Sequence, residues 1–201
     1  MQTEHMAEAR PHSSMAPQRF LDAAARLFAR DGFHAISMRD IARELGVTPG
    51  AIYAHYPSKM RILAAVYEEG VRRVASAVDA ALASAQDPWV QLERASAAHL
   101  GEILDRDSGY ASVVIRVLPA DAPELAEEMT ELRDQYEARF RTLIASLPLP
   151  PETDRTLFRM TLFGALNWTP VWTRSGQKTP DDIARAIIAM LRPAEVTPVD
   201  A

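Results

Sequence analysis

Apolar residues recur along the chain at intervals of three and four, the spacing that gathers them on one face of a helix. The pattern begins at Pro17, where Phe20, Ala24, Leu27 and Phe28 predict a first helix over 17–30, closed by Asp31-Gly32. Ser37 stands three residues before Asp40, a capping-box spacing in which hydroxyl and carboxylate satisfy free amides of a first turn. A second helix is therefore predicted over 38–45, with Ile41, Ala42 and Leu45 facing inward. Gly46 ends it, being the residue that enters a left-handed cap at least cost. Thr48-Pro49 is an N-cap and first-turn pair, from which a third helix runs to about Tyr56. Two short helices joined by so tight a glycine turn make a helix-turn-helix, with Ile36, Ile41, Leu45, Val47 and Ile52 as its core.

The periodicity continues to the far end of the chain. Pro57-Ser58 breaks the chain and caps a longer helix over 59–84, and Asp87-Pro88 opens the next, to about 105. Pro119 and Pro123 bracket another start, where Asp121 and Glu124 repeat the capping-box spacing, and that helix continues to about Ser146. A proline-rich loop over 147–151 separates it from a helix over 152–173 and a last one from Thr179 to Leu191, stopped by Pro193. Pro170 lacks an amide and displaces the carbonyl of Leu166, so a kink or early end is predicted there. No stretch alternates with period two long enough to argue for a strand. The expected fold is all-α with about nine helices. It divides into a mobile arm (1–15), a helix-turn-helix domain (16–62), a helical regulatory and dimerisation domain (63–192) and a tail (193–201).

Charge sharpens this division. The net charge is −5, yet residues 1–73 hold ten Lys/Arg against eight Asp/Glu, leaving −7 for the rest. A basic front and an acidic body permit a nucleic-acid face at one end only. Cysteine is absent, which excludes disulfides, thiolate metal sites and cysteine nucleophiles. No apolar run approaches the roughly 18 residues of a membrane span, and the start lacks the pattern of a signal peptide, so a cytoplasmic protein is expected.

The third helix carries the candidate chemistry. Gly50 and Ala51 are small enough for the backbone to approach the floor of a DNA groove, while Tyr53, His55 and Tyr56 project beyond it. Such a surface suits the major groove, which admits one helix and presents hydrogen-bond groups and thymine methyls. Lys59, one of two lysines in the chain, falls in the first turn of the fourth helix, from where an ammonium reaches a phosphate. Tyr53 packed into the three-helix core, and His55 as a cap on helix three, are the structural alternatives.

The segment Phe20 to Leu63, above all Ser37-Met-Arg-Asp-Ile-Ala-Arg-Glu-Leu-Gly-Val-Thr-Pro-Gly-Ala-Ile-Tyr-Ala-His-Tyr-Pro-Ser-Lys59, resembles the DNA-binding domain of the tetracycline-repressor (TetR) family. The resemblance implies a homodimer of nine or ten helices. It places Thr48, Gly50, Ala51, Tyr53 and His55 on the recognition helix and Ser37, Arg39, Tyr56 and Lys59 near the DNA backbone. The chain differs from the common family pattern in having Ala54 and Tyr56 where a bulkier aromatic and Phe often stand.

One such domain contacts too few bases to find an operator, so a symmetric pair is required. Leu157, Thr161, Gly164 and Ala165 on one helix and Ile183, Ile187 and Leu191 on the next are the expected dimer surface, a four-helix bundle also implied by the resemblance. Intramolecular core is the alternative for that stripe. Tyr110, Val114, Leu118, Met129, Tyr136 and Phe140 recur at helical spacing in the middle helices, where the family holds its ligand, and Trp168 and Trp172 share a face. Paired tryptophans followed by Arg and Gly resemble tails of family regulators of fatty-acid or sterol-type degradation, some answering to acyl-CoA thioesters. A small, largely apolar effector is expected, acyl-CoA-like or otherwise; plain core for most of these residues, with no effector, is the alternative.

The rival classes lack their residues. There is no glycine-rich phosphate loop, no G-x-S-x-G elbow and no paired metal-binding histidines, the five His (5, 12, 34, 55, 99) being scattered. The run Glu124, Glu127, Glu128 and Glu131 reads as a solvated helix face. Neither an enzyme nor a metal or other cofactor is expected. A ligand-responsive repressor is the leading expectation; a dimeric small-molecule-binding protein without operator binding, and an activator, are the alternatives.

Overall fold

The first helix, α1 (Pro17–Asp31), buries Phe20, Ala24, Leu27 and Phe28 on one face, as its spacing demands. The computed structural model describes residues 17–83, 85–105, 107–173 and 177–193. The expected arm (1–15) and the tail beyond Pro193 lie outside them, as do residues 174–176. Eight further α-helices follow among the described residues, and no strand. They are α2 (Met38–Leu45), α3 (Pro49–Tyr53), α4 (Lys59–Leu82), α5 (Pro88–Leu104), α6 (Tyr110–Arg116), α7 (Ala126–Ser146), α8 (Arg155–Trp172) and α9 (Pro180–Leu191).

Local chemistry sets most of the boundaries. Side-chain oxygens of Ser58, Asp87, Asp154 and Thr179 accept from first-turn amides of α4, α5, α8 and α9, and Thr179 forms a full capping box with Asp182. The expected box at Asp121 and Glu124 does not start α7. Asp121 instead accepts from the Leu118 amide at 2.8 Å and closes a 3-10 turn (Pro119–Asp121); a second such turn (Pro123–Leu125) follows, and α7 begins at Ala126. Two prolines so close cannot donate to a regular helix, which explains the stepwise entry. α8 does not end at Pro170 but continues two residues beyond it, to Trp172. Thr169 returns its hydroxyl to the Ala165 carbonyl at 3.0 Å within the same turn.

α5 is the hub of the larger domain: it packs on α4, α7, α8 and α9 and buries Leu92, Ala95, Leu100 and Ile103. α4 runs from the helix-turn-helix, where it meets α1, into the larger domain, where it meets α5 and α7. Sequence spacing gives no sign of α6, which packs on both α1 and α4. Its N-cap, Gly109, has φ +74 and sits so close to α1 that an added Cβ would lie 2.7 Å from the Ala25 carbonyl oxygen. The Tyr110 hydroxyl donates to Asp22 at 2.8 Å and accepts from Gln18 at 3.0 Å, while the Arg73 guanidinium lies 4.2 Å above its ring.

These contacts make Gly109 unlike the other left-handed glycines. Gly32, at φ +87, has open space where a Cβ would go. Gly32→Ala should cost about 1 to 2 kcal/mol for the backbone conformation alone. Gly109→Ala adds overpacking against a backbone that cannot retreat, for a total of about 2 to 5 kcal/mol. Urea unfolding of the two variants measures the difference.

Candidate DNA interface and regulatory cavity

The helix-turn-helix is built by backbone satisfaction. The Asp40 amide donates to Ser37 Oγ at 3.2 Å and the Ser37 amide to Asp40 Oδ2 at 2.8 Å, so the box read at α2 is present in both directions. Gly46 adopts φ +66, and the Val47 amide returns to the Ala42 carbonyl at 3.0 Å to close the turn. Ile41 and Ile52 are fully buried and seal α2 and α3 together; Leu45 and Val47 are half-buried beside them.

With Ile52 turned inward, the opposite side of α3 is left to solvent. Thr48, Gly50, Tyr53 and His55 are exposed and Ala51 is half-buried. Tyr53 is 51% exposed and thus outside the core, the alternative considered for it. The helix stops at Tyr53, three residues short of its expected end, and a final turn follows in which the His55 and Tyr56 amides share the Ile52 carbonyl. His55 therefore lies beyond the recognition helix, its ring 5.2 Å from that of Phe20. Ser37 and Arg39 are exposed at the start of α2, and Tyr56 is half-buried.

Lys59 differs from its sequence reading. Its Nζ donates to the carbonyls of Phe33 at 2.9 Å and Ile36 at 2.8 Å and stands 4.4 Å from the centre of the Phe33 ring. Partial burial lowers its pKa from the ordinary lysine value. Rather than being a free cation at the surface, it ties the start of α4 to the loop between α1 and α2.

The larger domain holds a half-open cavity of about 380 Å³ among α4, α5, α6, α7 and α8. Of the residues expected in a ligand pocket, Val114, Leu118 and Tyr136 line this space. Tyr110 does not, because its hydroxyl is drawn to α1, and Met129 is buried in core elsewhere. Trp168 borders an adjoining groove of about 800 Å³ between α1, α2, α5, α6 and α8, and Trp172 borders neither space. Ile103, Ile115 and Asn167 are common to the cavity and this groove.

A buried polar chain crosses the cavity wall. His99 is held between the Tyr136 hydroxyl, 2.6 Å from Nδ1, and Asn167 Oδ1, 3.0 Å from Nε2. With Asn167 accepting from Nε2–H, Nδ1 is the acceptor and Tyr136 the donor, an assignment that follows from the amide orientation. Phe140 and Phe163 pack edge-on around the imidazole. These residues escaped the sequence reading except Tyr136 and Phe140. The available signal was a histidine on the same face of α5 as Leu92 and Ile103.

Burial holds His99 down to about 4, against an ordinary 6.5. The folded protein thus refuses a proton that the unfolded chain accepts. The stability gained is complete above about pH 6.5 and is lost as pH falls toward 4, amounting to about 2 to 3 kcal/mol between pH 7.5 and 4.5. Unfolding free energies at those two pH values should differ less in His99→Gln than in the parent by that amount.

Of the stripe expected as a dimer surface, part is intramolecular core. Ile183 and Ile187 are buried inside the chain, on the helix that packs against α5, and Ala165 and Leu191 are half-buried. Burial within one chain removes the first two from any pairing surface. Leu157, Thr161 and Gly164 are exposed, and the same side of α8 continues through Trp168 and Trp172, both at least half exposed. Met190 on α9 is the most exposed large apolar side chain among the described residues, at 77%.

Two family models together span most of the described residues. One, for bacterial regulatory proteins of the tetR family, matches 20–66; the other, for a tetracyclin repressor-like C-terminal domain, matches 85–194. The chain belongs to the TetR family. It is accordingly a transcription regulator with a DNA-binding helix-turn-helix, in a class of proteins that are not enzymes.

Among curated TetR-family relatives, the transcriptional activator FasR of Mycolicibacterium smegmatis is 33% identical over 90 residues, which is 45% of this chain and 41% of that protein. The match thus spans about two fifths of the relative's length. The crystal structure of the TetR-family regulator PfmR from Thermus thermophilus superimposes with a TM-score of 0.72 at 27% identity, over 86% of this chain and 96% of that one. AibR, solved with isovaleryl coenzyme A and operator DNA, has the same fold, with a TM-score of 0.72 at 22% identity over 86% and 96% of the two chains. No helix among the described residues is long and apolar enough to cross a membrane.

Proposed function

We propose that this TetR-family regulator is a ligand-responsive repressor that binds a palindromic operator as a homodimer and releases it when a small, largely apolar effector enters the cavity. The observation that carries the reading is the position of α6. One side of that helix lines the cavity through Ala111, Val114 and Ile115, while its first residues rest on α1 of the helix-turn-helix at Gly109 and Tyr110. A ligand that moves α6 therefore acts directly on the DNA-binding domain. α4 contributes Gly70, Val71 and Val74 to the same cavity and reaches the same domain by its other end, so both helices transmit the change. Coupling of about 1 to 3 kcal/mol, or roughly 5- to 150-fold in operator affinity, is the usual size of such linkage.

The exposed stripe on α8 supports the homodimer part of this reading. Leu157, Trp168 and Trp172 leave an apolar strip that a second copy would cover, with Gly164 allowing close helix approach. In the dimer the exposed sides of two α3 helices enter successive major grooves, with Thr48, Gly50, Ala51 and Tyr53 toward the bases. Ser37, Arg39 and Tyr56 lie toward phosphates, and Lys59 braces the loop that carries Ser37. AibR, which has been solved with both isovaleryl coenzyme A and operator DNA, is a precedent for this fold holding a small molecule and DNA together. Activation is the second reading, favoured by the match to an activator, FasR.

Gel-shift titration with the gene's own upstream region tests the proposal. A saturable complex of nanomolar affinity, with two chains per site, is expected; binding no tighter than to unrelated DNA at the same salt would refute it. A promoter-reporter fusion with and without the gene separates repression from activation.

A further inference from the structure

The charges around the cavity do not cancel. Glu137 lines it but is ion-paired with Arg159, both largely buried. His99 is neutral at physiological pH, and Asn167 and Tyr136 carry no charge there. Arg133 also lines the cavity. Among the described residues its guanidinium donates to the Tyr67 hydroxyl at 3.1 Å, and no carboxylate lies within ion-pair distance of it. A guanidinium has five donors in a fixed fork, and the Tyr67 hydroxyl meets a single one of them.

We propose that the effector is a compact apolar carboxylate whose anionic group pairs with Arg133 while its body fills the apolar part of the cavity. The proposal rests on the reading of this cavity as the effector site. Carboxylate is the anion that a guanidinium fork meets with two parallel hydrogen bonds. The walls supplied by Val71, Val74, Ile103 and Phe163 match an apolar body. Size narrows the class further. About 380 Å³ is at the small end of ligand pockets, which suits a compact body.

Calorimetric titration of the full chain with decanoate, 1-decanol and decylamine provides the test. Decanoate should bind on the order of tenfold or more tighter than the other two, the usual advantage of hydrogen bonds to a charged group. Arg133→Gln should erase that preference while leaving decanol binding unchanged, which also shows that the variant is folded. Tyr67→Phe removes the bond that Arg133 makes now and should preserve the preference. Equal binding of acid and alcohol, an undiminished acid preference in Arg133→Gln, or no saturable decanoate binding would each overturn the proposal. Operator binding by the ligand-free protein is unaffected by any of these outcomes, so the DNA-binding reading stands or falls separately.

Discussion

Ala51→Glu should abolish operator binding, by a hundredfold or more, without weakening the fold. Ala51 is half-buried on α3, the third helical residue after the N-cap Thr48. Thr48 makes no side-chain capping bond at present, and a glutamate three residues beyond a threonine N-cap is the capping-box arrangement, so the substitution is favourable to the local helix. On DNA the same carboxylate enters a groove lined by phosphates, where its desolvation and repulsion are uncompensated. An unchanged or raised unfolding midpoint together with a lost gel shift is the expected pair of results. Retained operator binding would mean that another surface meets DNA.

The double variant Leu157→Glu, Trp172→Glu should turn the dimer into a monomer. Both residues are at least half exposed on α8, and neither lines the cavity or the groove, so the ligand site is untouched. In an isologous interface each substitution faces its own partner surface twice, so four carboxylates replace apolar contacts at once. Sedimentation should report the mass of a single chain. Operator affinity should fall by on the order of a hundredfold or more, because the second half-site is no longer bound intramolecularly. A variant that remains dimeric would show that the copies associate elsewhere.

How far the chain could be read depended on whether the signal was local. The caps at Ser37, Gly46, Ser58, Asp87 and Thr179 act within four residues, and the helices they start or stop were legible for that reason. α6 was not, because a seven-residue helix with a glycine N-cap and no side-chain cap has no local signature; contacts with α1 and α4 hold it. Lys59 shows the same limit. Charge suggested an outward cation, but only the folded loop reveals the two carbonyls that its ammonium binds. For Trp168 and Trp172, spacing showed that they share a face but not which one; the structure turns that face to solvent. The converse holds for Ile183 and Ile187, whose apolar stripe is spent on α5. The cavity gathers residues from five helices, and its polar members, His99, Asn167 and Arg133, are neighbours only in space.

Hydroxyl-radical footprinting of the protein on its upstream DNA addresses the central claim, that two α3 helices held by one dimer enter DNA together. Two protected half-sites related by two-fold symmetry are expected, their centres about 34 to 36 Å apart or a whole multiple of that spacing. Protection confined to one unpaired half-site, or none above that on unrelated DNA, would contradict it.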